Sequence, residues 1–567
     1  MMHDRRWIMA NGAADPAPFS EGFCGLPCIT QLLQRRGLLN DGEANDFLRP
    51  RLARLSDPFL LPQMQAAVDR ILQAIDARER VVLYGDYDVD GVTSLALLNE
   101  MLCAYGTTPA LFLPSRMEEG YGLSREAIER CCRAHSPQLF VAVDCGTSSC
   151  AEIAELRTRG IDVIVLDHHE PKDELPDCVA IVNPKTTGDA SFRYLCSVGL
   201  VFKLCHALLK ARPLPGFRLR ERLDLVALGT VADIVPLESE NRILVHHGVR
   251  EIANRRLIGL TRLLDVAAVR PPIASEHIGF RLGPRLNAAG RLTTAEKSLR
   301  LLVTTDPEEA RALSAELDGQ NRERQTVERE IVTAAEEEIA SRNLGEAPAI
   351  VLGQKGWHPG VLGIVASRIA RSHHRPTIIV GFDENGLGKG SGRSIPGLSL
   401  VAALGSCDDL LEKFGGHEMA AGLTIREEKL PLFVARFQEV CRERLSAEQL
   451  EPLLHLDAEL TLRELTWDLL RWHELLQPFG QGNPQPLFLV RGVEPAASPQ
   501  ILKEKHLVLR LRQDGRHQRA IFFGGAEQKL PDPPWDIAFR ISADEYEGET
   551  RLQMQVEALR ASRPEAP

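Results

Sequence analysis

The sequence predicts an α/β chain: a parallel-sheet domain joined by a long helix to a second α/β domain, with a small β-barrel at the C-terminal end. Three observations predict it. Between about residues 80 and 235, short β-branched runs alternate with helical stretches, the rhythm of βαβ units on a mainly parallel sheet. Residues 306–343 are rich in Glu, Arg and Ala and hold no breaker besides Pro307 and Gly319. Beyond about residue 450 the texture changes to short alternating strands separated by Gly-rich turns.

Taken in order, residues 1–45 read as an irregular segment that carries no signal. Residues 46–305 form the first domain, with strands expected at 80–85, 109–114, 139–143, 161–166 and 179–183. Residues 306–343 are the connector, one long helix or two nearly collinear ones. Asp306 is its N-cap, and Pro307 takes the first helical position, where a missing N–H costs nothing. Residues 344–447 give a second α/β domain, with strands at 348–353 and 376–383 around a helix at 361–373, and a further helix opening at "LSLVAAL". Residues 448–567 have room for about five strands, which suits a barrel better than a sandwich.

At 567 residues the chain can bury several cores without disulfide or metal staples. Its 44% hydrophobic and 26% charged residues are ordinary globular usage, which excludes disordered, collagen-like and coiled-coil classes. The longest apolar runs are far shorter than the ~20 residues of a spanning helix, and the N-terminal stretch lacks a long apolar run, so no membrane partner and a cytoplasmic location are expected. The 12 cysteines include no C-x-x-C pair, so reduced thiols are expected rather than structural zinc. A net charge of -11 argues against indiscriminate coating of nucleic acid. Two windows are nevertheless locally basic, 281–300 and 501–520, the second including Lys503, Lys505, Arg510, Arg512, Arg516 and Arg519.

Acidic residues stand where the predicted strands end. "VVLYGDYDVDG" places Asp86, Asp88 and Asp90 after one strand, "LFVAVDCG" places Asp144 after another, and "DVIVLDHHE" places Asp167, His168 and His169 after a third. Asp233 follows an apolar helical run in "LGTVADIVPL". In an open parallel sheet the carboxyl ends of the strands share one edge, so these distant residues converge. Carboxylates gathered there repel one another unless cations sit among them, and imidazole beside carboxylate suits Mn²⁺, Mg²⁺ or a similar divalent ion. The expectation is a binuclear metal site, in which Asp167 orients a histidine rather than binding metal.

Asp86, Asp88, Asp90 and Gly91 begin like a calcium-binding EF-hand loop, but a strand precedes them and the twelfth position is Leu97 rather than Glu. There is no G-x-x-x-x-G-K-[ST] loop and no dinucleotide fingerprint, which leaves metal-assisted hydrolysis of a phosphate ester or anhydride as the leading chemistry. In "GKGSGRS" (388–394), flexible backbone N–H groups beside Ser391, Arg393 and Ser394 read as a phosphate nest, with a Gly-rich hairpin as the plainer alternative.

"DYDVDG", the strand-end Asp144, "DHHE" and "ADIVPL" resemble successive motifs of the DHH phosphoesterase superfamily, and their order and spacing are similar to those of its single-stranded-DNA-specific 5′→3′ exonucleases. The resemblance continues through "RLNAAGRL" (285–292), "GWHPGVLGIVASR" (356–368), "GKGSGRS" and "KFGGHEMAAG" (413–422), and covers roughly residues 50 to 560. It implies a DHH catalytic domain over 46–305, a DHH-associated substrate-binding domain over 344–447 and a nucleic-acid-binding OB-fold barrel over 448–567. Superfamily members often place a histidine four residues before the first ligand Asp, where this chain has Tyr84; an extra Asp, Asp86, compensates. That departure leaves open which ion Asp86 and Asp88 each contact.

The resemblance implies two ions, Mn²⁺ by preference with Mg²⁺ as substitute. One would be held by Asp86, Asp88 and Asp144, the other by Asp90, Asp144, His168 and Asp233, with His169 completing the catalytic set. It also implies hydrolysis by metal-activated water, recognition of a 5′-terminal phosphate at Ser391, Arg393 and Ser394, backbone-phosphate contacts from Arg285, Asn287 and Arg291, and a donor to the scissile phosphate at His417. Trp357 reads as a stacking platform or as core, and Phe522 as a stacking side chain on a basic barrel face. The implied partners are single-stranded DNA with a 5′ end, a single-strand-binding protein and a helicase, for a monomer acting in DNA repair and recombination. Two rival readings remain at this point: a phosphodiesterase of short oligonucleotides or cyclic dinucleotides, and a non-catalytic nucleic-acid-binding scaffold.

Overall fold

The computed structural model of the chain describes residues 5–10, 19, 25–115, 122–172, 174–187, 192–546 and 549–562. Its first sheet is wholly parallel, with five strands in the order Ala110–Phe112, Val81–Tyr84, Leu139–Val143, Asp162–Leu166, Ala180–Val182. Helices cover both faces, so the strands are near-continuous apolar runs and alternation decides which core each side chain enters. Val81, Leu83, Val141 and Ile164 pack with the helices Val89–Ala104 and Ser197–Ala211. Val82, Tyr84, Phe140 and Val165 pack on the other face with Arg125–His135 and Cys150–Thr158. The strand ends that carry Asp86, Asp144 and Asp167 thereby face one open edge.

A single unbroken helix, Pro307–Ser341, spans the connector, with the Asp306 side chain accepting from the Glu308 N–H at 2.9 Å. At 1.5 Å per residue it is about 52 Å long. Ala310 and Leu317 lie in the first domain's core, and Ile331, Ala335 and Ile339 lie against the second sheet, so one rigid rod belongs to both. That second sheet runs Lys413–Gly416, Ala420–Arg426, Leu387–Arg393, Thr377–Phe382, Ile350–Lys355, and only its last pair is parallel.

The barrel departs from expectation in strand number: seven strands pair, not about five, and the contacts Glu494↔Arg512 and Pro495↔Leu511 close it. Residues 1–45 also need correction. Arg6–Met9 is a strand paired in parallel with Leu453–Leu456, and the helices Pro27–Arg35 and Asp41–Leu48 bury Ile29, Leu32, Leu33, Ala44 and Leu48 in the barrel's own core. The apolar spacing of the first helix is regular, but its partners lie more than 400 residues away and no local pattern announces them. Arg242, from the first domain, joins the units: its guanidinium lies 3.6 Å from the centre of the Phe47 ring and donates to the carbonyls of Phe47 at 2.8 Å and Gln477 at 2.9 Å. No described helix is long and apolar enough to cross a membrane.

Candidate metal centre

Each acidic residue is fixed by the element that carries it. Asp88 is the N-cap of Val89–Ala104, its Oδ1 accepting from the N–H groups of Asp90 (2.9 Å) and Gly91 (3.1 Å). Gly91 is required here because a Cβ would stand 2.4 Å from the Asp86 carbonyl oxygen. Asp90 is turned inward and accepts from the first N–H groups of another helix, Ser197 at 2.7 Å and Val198 at 2.8 Å, where the helix dipole favours an anion. Asp144 sits at φ 65°, a left-handed conformation rare outside glycine that turns the chain sharply at the strand end, and its Oδ1 accepts from the Ser197 hydroxyl at 2.9 Å. Asp233 caps the C-terminal end of Leu223–Ala232.

These residues meet. His168 Nε2 lies 3.4 Å from Asp144 Oδ1, 3.5 Å from Asp233 Oδ2 and 3.8 Å from Asp90 Oδ2. Ligand atoms of Asp86, Asp88 and Asp144, and separately of Asp90, His168 and Asp233, fall within 4.8 Å of one another. His168 Nε2 and Asp233 Oδ2 are buried with no hydrogen-bond partner among the described residues. Two orphaned buried atoms of this kind are costly unless something else satisfies them. Burial, then the neighbouring Asp88, pushes the Asp90 carboxyl up to about 7, and burial with the surrounding carboxylates also raises Asp144 and Asp233. Burial pulls His168 down to about 3, leaving its ring neutral. Carboxylates that cannot ionise together, beside a neutral imidazole with an open nitrogen, are a donor set suited to divalent cations.

Asp167 acts differently. It accepts from the N–H groups of Thr147 (3.0 Å), His168 (2.8 Å) and His169 (3.1 Å), and its Oδ1 lies 2.7 Å from His169 Nδ1. Burial works against its charge, but the hydrogen bond to His169 and the two histidines hold its carboxyl well below the usual range. Burial likewise opposes a charged His169, and Asp167 outweighs it, raising that pKa.

The residues expected to meet substrate are divided between one helix of the first domain and the sheet of the second. The helix Gly283–Leu292 runs against the turn that carries Asp86 and Asp88, where a Cβ on Gly290 would stand 2.8 Å from the Tyr87 carbonyl oxygen, and reaches the second domain, where Arg291 Nη1 donates to the Gly360 carbonyl at 3.2 Å. Arg285 is held by Asp318 at 2.9 Å, and Asn287 is half-buried on the same helix. The expected nest is not formed: residues 387–393 are a central strand whose backbone pairs on both sides. Gly388, Gly390 and Gly392 are needed because a Cβ would run into Phe382, Leu423 and Leu400, so Lys389, Ser391 and Arg393 occupy the opposite face. A Cβ on Gly363 would lie 3.0 Å from both Ser391 Oγ and Arg393 Nη2. Ser394 is a correction, since it is buried and donates to the Leu398 carbonyl at 2.7 Å, closing a loop instead of facing substrate. His417 is exposed in the turn between the strands Lys413–Gly416 and Ala420–Arg426. Trp357 is core, 7% exposed, and Phe522, at 3%, fills the barrel interior, so neither is a stacking platform. Sequence reasoning missed Ser197, whose N–H and hydroxyl hold two proposed ligands; a short polar residue opening a helix was the one available signal.

The chain matches the DHH family N-terminal domain over residues 80–230, the DHHA1 domain over 346–443 and the RecJ OB domain over 456–558. It is 36% identical over 557 residues to the single-stranded-DNA-specific exonuclease RecJ of Dickeya dadantii, covering 94% of this chain and 95% of that protein. The chain belongs to the RecJ family. A crystal structure of Thermus thermophilus RecJ in complex with Mn²⁺ superposes with a TM-score of 0.85 at 33% identity, covering 100% of this chain and 81% of that one. The same RecJ in complex with Mg²⁺ gives 0.77 at 30% identity, covering 99% and 79%. The donor set described above fits such ions, because His168 Nε2 and Asp233 Oδ2 are buried with no hydrogen-bond partner among the described residues.

Proposed function

We propose that the protein is a metal-dependent exonuclease that degrades single-stranded DNA from its 5′ end to mononucleotides. The observation that carries the reading is the buried junction of His168, Asp90, Asp144 and Asp233, with an open imidazole nitrogen at its centre and Asp86 and Asp88 beside it, in a chain of the RecJ family. Asp86, Asp88 and Asp144 would hold one divalent cation, and Asp90, Asp144, His168 and Asp233 would hold the other. When bound, Mn²⁺ or Mg²⁺ supplies an activated water and neutralises charge on the leaving oxygen.

The remaining work falls to side chains. Asp167 fixes His169 beside His168, ring centroids 4.6 Å apart, and His169 completes the catalytic set. Arg285, Asn287 and Arg291 follow the strand's backbone, Ser391 and Arg393 take the 5′-terminal phosphate, and His417 donates to the scissile phosphate, while Ser394 positions their loop. The protein works as a cytoplasmic monomer in repair and recombination, on strands exposed by a helicase and covered by a single-strand-binding protein.

Single strands labelled at the 5′ or the 3′ end, incubated with Mn²⁺ and no ATP, test the reading. The expected result is early loss of the 5′ label as a mononucleotide with the 3′ label retained on shortening strands. Loss from the 3′ end first, or a requirement for ATP, would overturn it.

A further inference from the structure

Asp233 has a helix behind it and irregular chain ahead of it, residues 234–238, before the helix Ser239–Ala253 begins. Both ends of that stretch are strained. Ile234 takes φ 62° and Ser239 φ 46°, left-handed conformations that residues other than glycine keep only where surrounding contacts fix them. The contacts come from the barrel. Leu237 donates its N–H to the Gln481 carbonyl at 2.7 Å, and a Cβ on Gly480 would stand 2.7 Å from Leu237 Cδ1. Just beyond the stretch, the Arg242 guanidinium donates to the Gln477 carbonyl at 2.9 Å.

The same barrel loop, residues 476–484, also reaches the other flank of Asp233. The Ser275 hydroxyl donates to the Phe479 carbonyl, and Ser275 opens the helical run that continues into the turn Ile278–Leu282. The residue after that turn lies on the end of the helix that Asp233 caps, since a Cβ on Gly283 would stand 3.4 Å from the Ala232 Cβ. One side chain gives the loop its shape. Asn483 is 1% exposed, donates from Nδ2 to the carbonyls of Leu476 and Pro478, both at 2.8 Å, and accepts from Arg36 Nε at 2.8 Å. Its backbone closes a tight turn with Gly480, each N–H donating to the other's carbonyl at 2.9 and 3.2 Å. Only a side-chain amide can donate twice and accept at once in this place, which a carboxylate or an aliphatic group cannot do.

We propose that Asn483 is a positioning residue for Asp233: by tying the barrel loop it anchors the strained stretch that follows Asp233, so that the barrel sets the cation affinity of the site Asp233 completes. This rests on the reading of Asp233 as a metal ligand. The test is a Mn²⁺ titration of the full-length protein, followed by the electron paramagnetic resonance signal of free Mn²⁺. Wild type is expected to bind two ions. Gly480→Ala, a change at an exposed position whose methyl group pushes on Leu237, and Asn483→Ala are each expected to weaken one ion at least about tenfold, the usual cost of losing a group that orients a ligand, and to leave the other within about twofold. Leu237→Val in the Gly480→Ala protein makes room for the methyl group and is expected to bring the weakened ion back to within about threefold of wild type, which a general loss of structure would not allow. Wild-type affinity for both ions in Gly480→Ala, or equal weakening of both, would overturn the positioning role. Wild-type protein that binds fewer than two ions would overturn the reading of the metal centre, and the positioning role with it.

Discussion

His168 brings its Nε2 to 3.4 Å from Asp144 Oδ1, too far for a good hydrogen bond and close to the spacing of two ligands on one cation with bonds of about 2.1 Å. A histidine and an aspartate from neighbouring strand ends are thus held ready for an ion, and the surrounding groups hold them there.

Asp167 is the support for that pair. Asp167→Asn is expected to keep the fold but lower turnover about 10- to 100-fold, the usual cost of losing a carboxylate that orients a site histidine. Steady-state kinetics with saturating Mn²⁺ check it, and a variant within twofold of wild type would remove the positioning role.

Gly91 allows the helix start to lie on the Asp86 backbone, where a Cβ would come within 2.4 Å of the carbonyl oxygen. Gly91→Ala is expected to displace Asp86 and cut turnover about a hundredfold, because a misplacement near 1 Å is enough for that loss. Circular dichroism should stay native while activity falls; full activity would show that Asp86 is not held by this contact.

On the barrel, Arg510 and Arg519 are exposed and stand directly opposite each other on paired strands, an arrangement that disfavours folding and favours a polyanion. Replacing both with Ala is expected to reduce the slope of log affinity against log salt for a long single strand by about 1.4, two phosphates at ~0.7 each. An unchanged slope would assign the grip to the groove around Arg285, Arg291 and Arg393. Point substitutions are the right tool, since removing the barrel would strip Ile29, Leu32 and Leu33 of their core.

His473 gives a pH dependence. It is buried between Phe479 and Phe488 with neither ring nitrogen hydrogen-bonded among the described residues, and burial pulls its pKa from 6.5 down to about 4. The folded state disfavours the charged ring, so its stability is fully present above pH 6.5 and is lost as pH falls from there towards 4, at up to ~1.4 kcal/mol per unit. His473→Leu should therefore flatten the fall of Tm across that window, measured by thermal melts; an unaltered slope would contradict it.

The strand ends that carry Asp86, Asp144 and Asp167 were legible because each lies within one apolar run and its turn, and the helix 307–341 was legible from its cap and its lack of breakers. What was not legible depends on distant partners. Ser197 meets Asp90 across 107 residues and Asp144 across 53. The glycines of "GKGSGRS" look like a flexible loop until the sheet packs Phe382 and Leu423 against them. The N-terminal helices find their core only when the barrel, at the far end of the chain, has formed.

The central claim is that Asp144 is shared by two cations, and turnover of Asp144→Ala on a labelled single strand at saturating Mn²⁺ tests it most directly. Loss of a shared ligand should cost several kcal/mol, so turnover is predicted to fall at least about a thousandfold while strand affinity stays within about threefold of wild type. Turnover above about a tenth of wild type would contradict it, because that is a loss of less than ~1.4 kcal/mol.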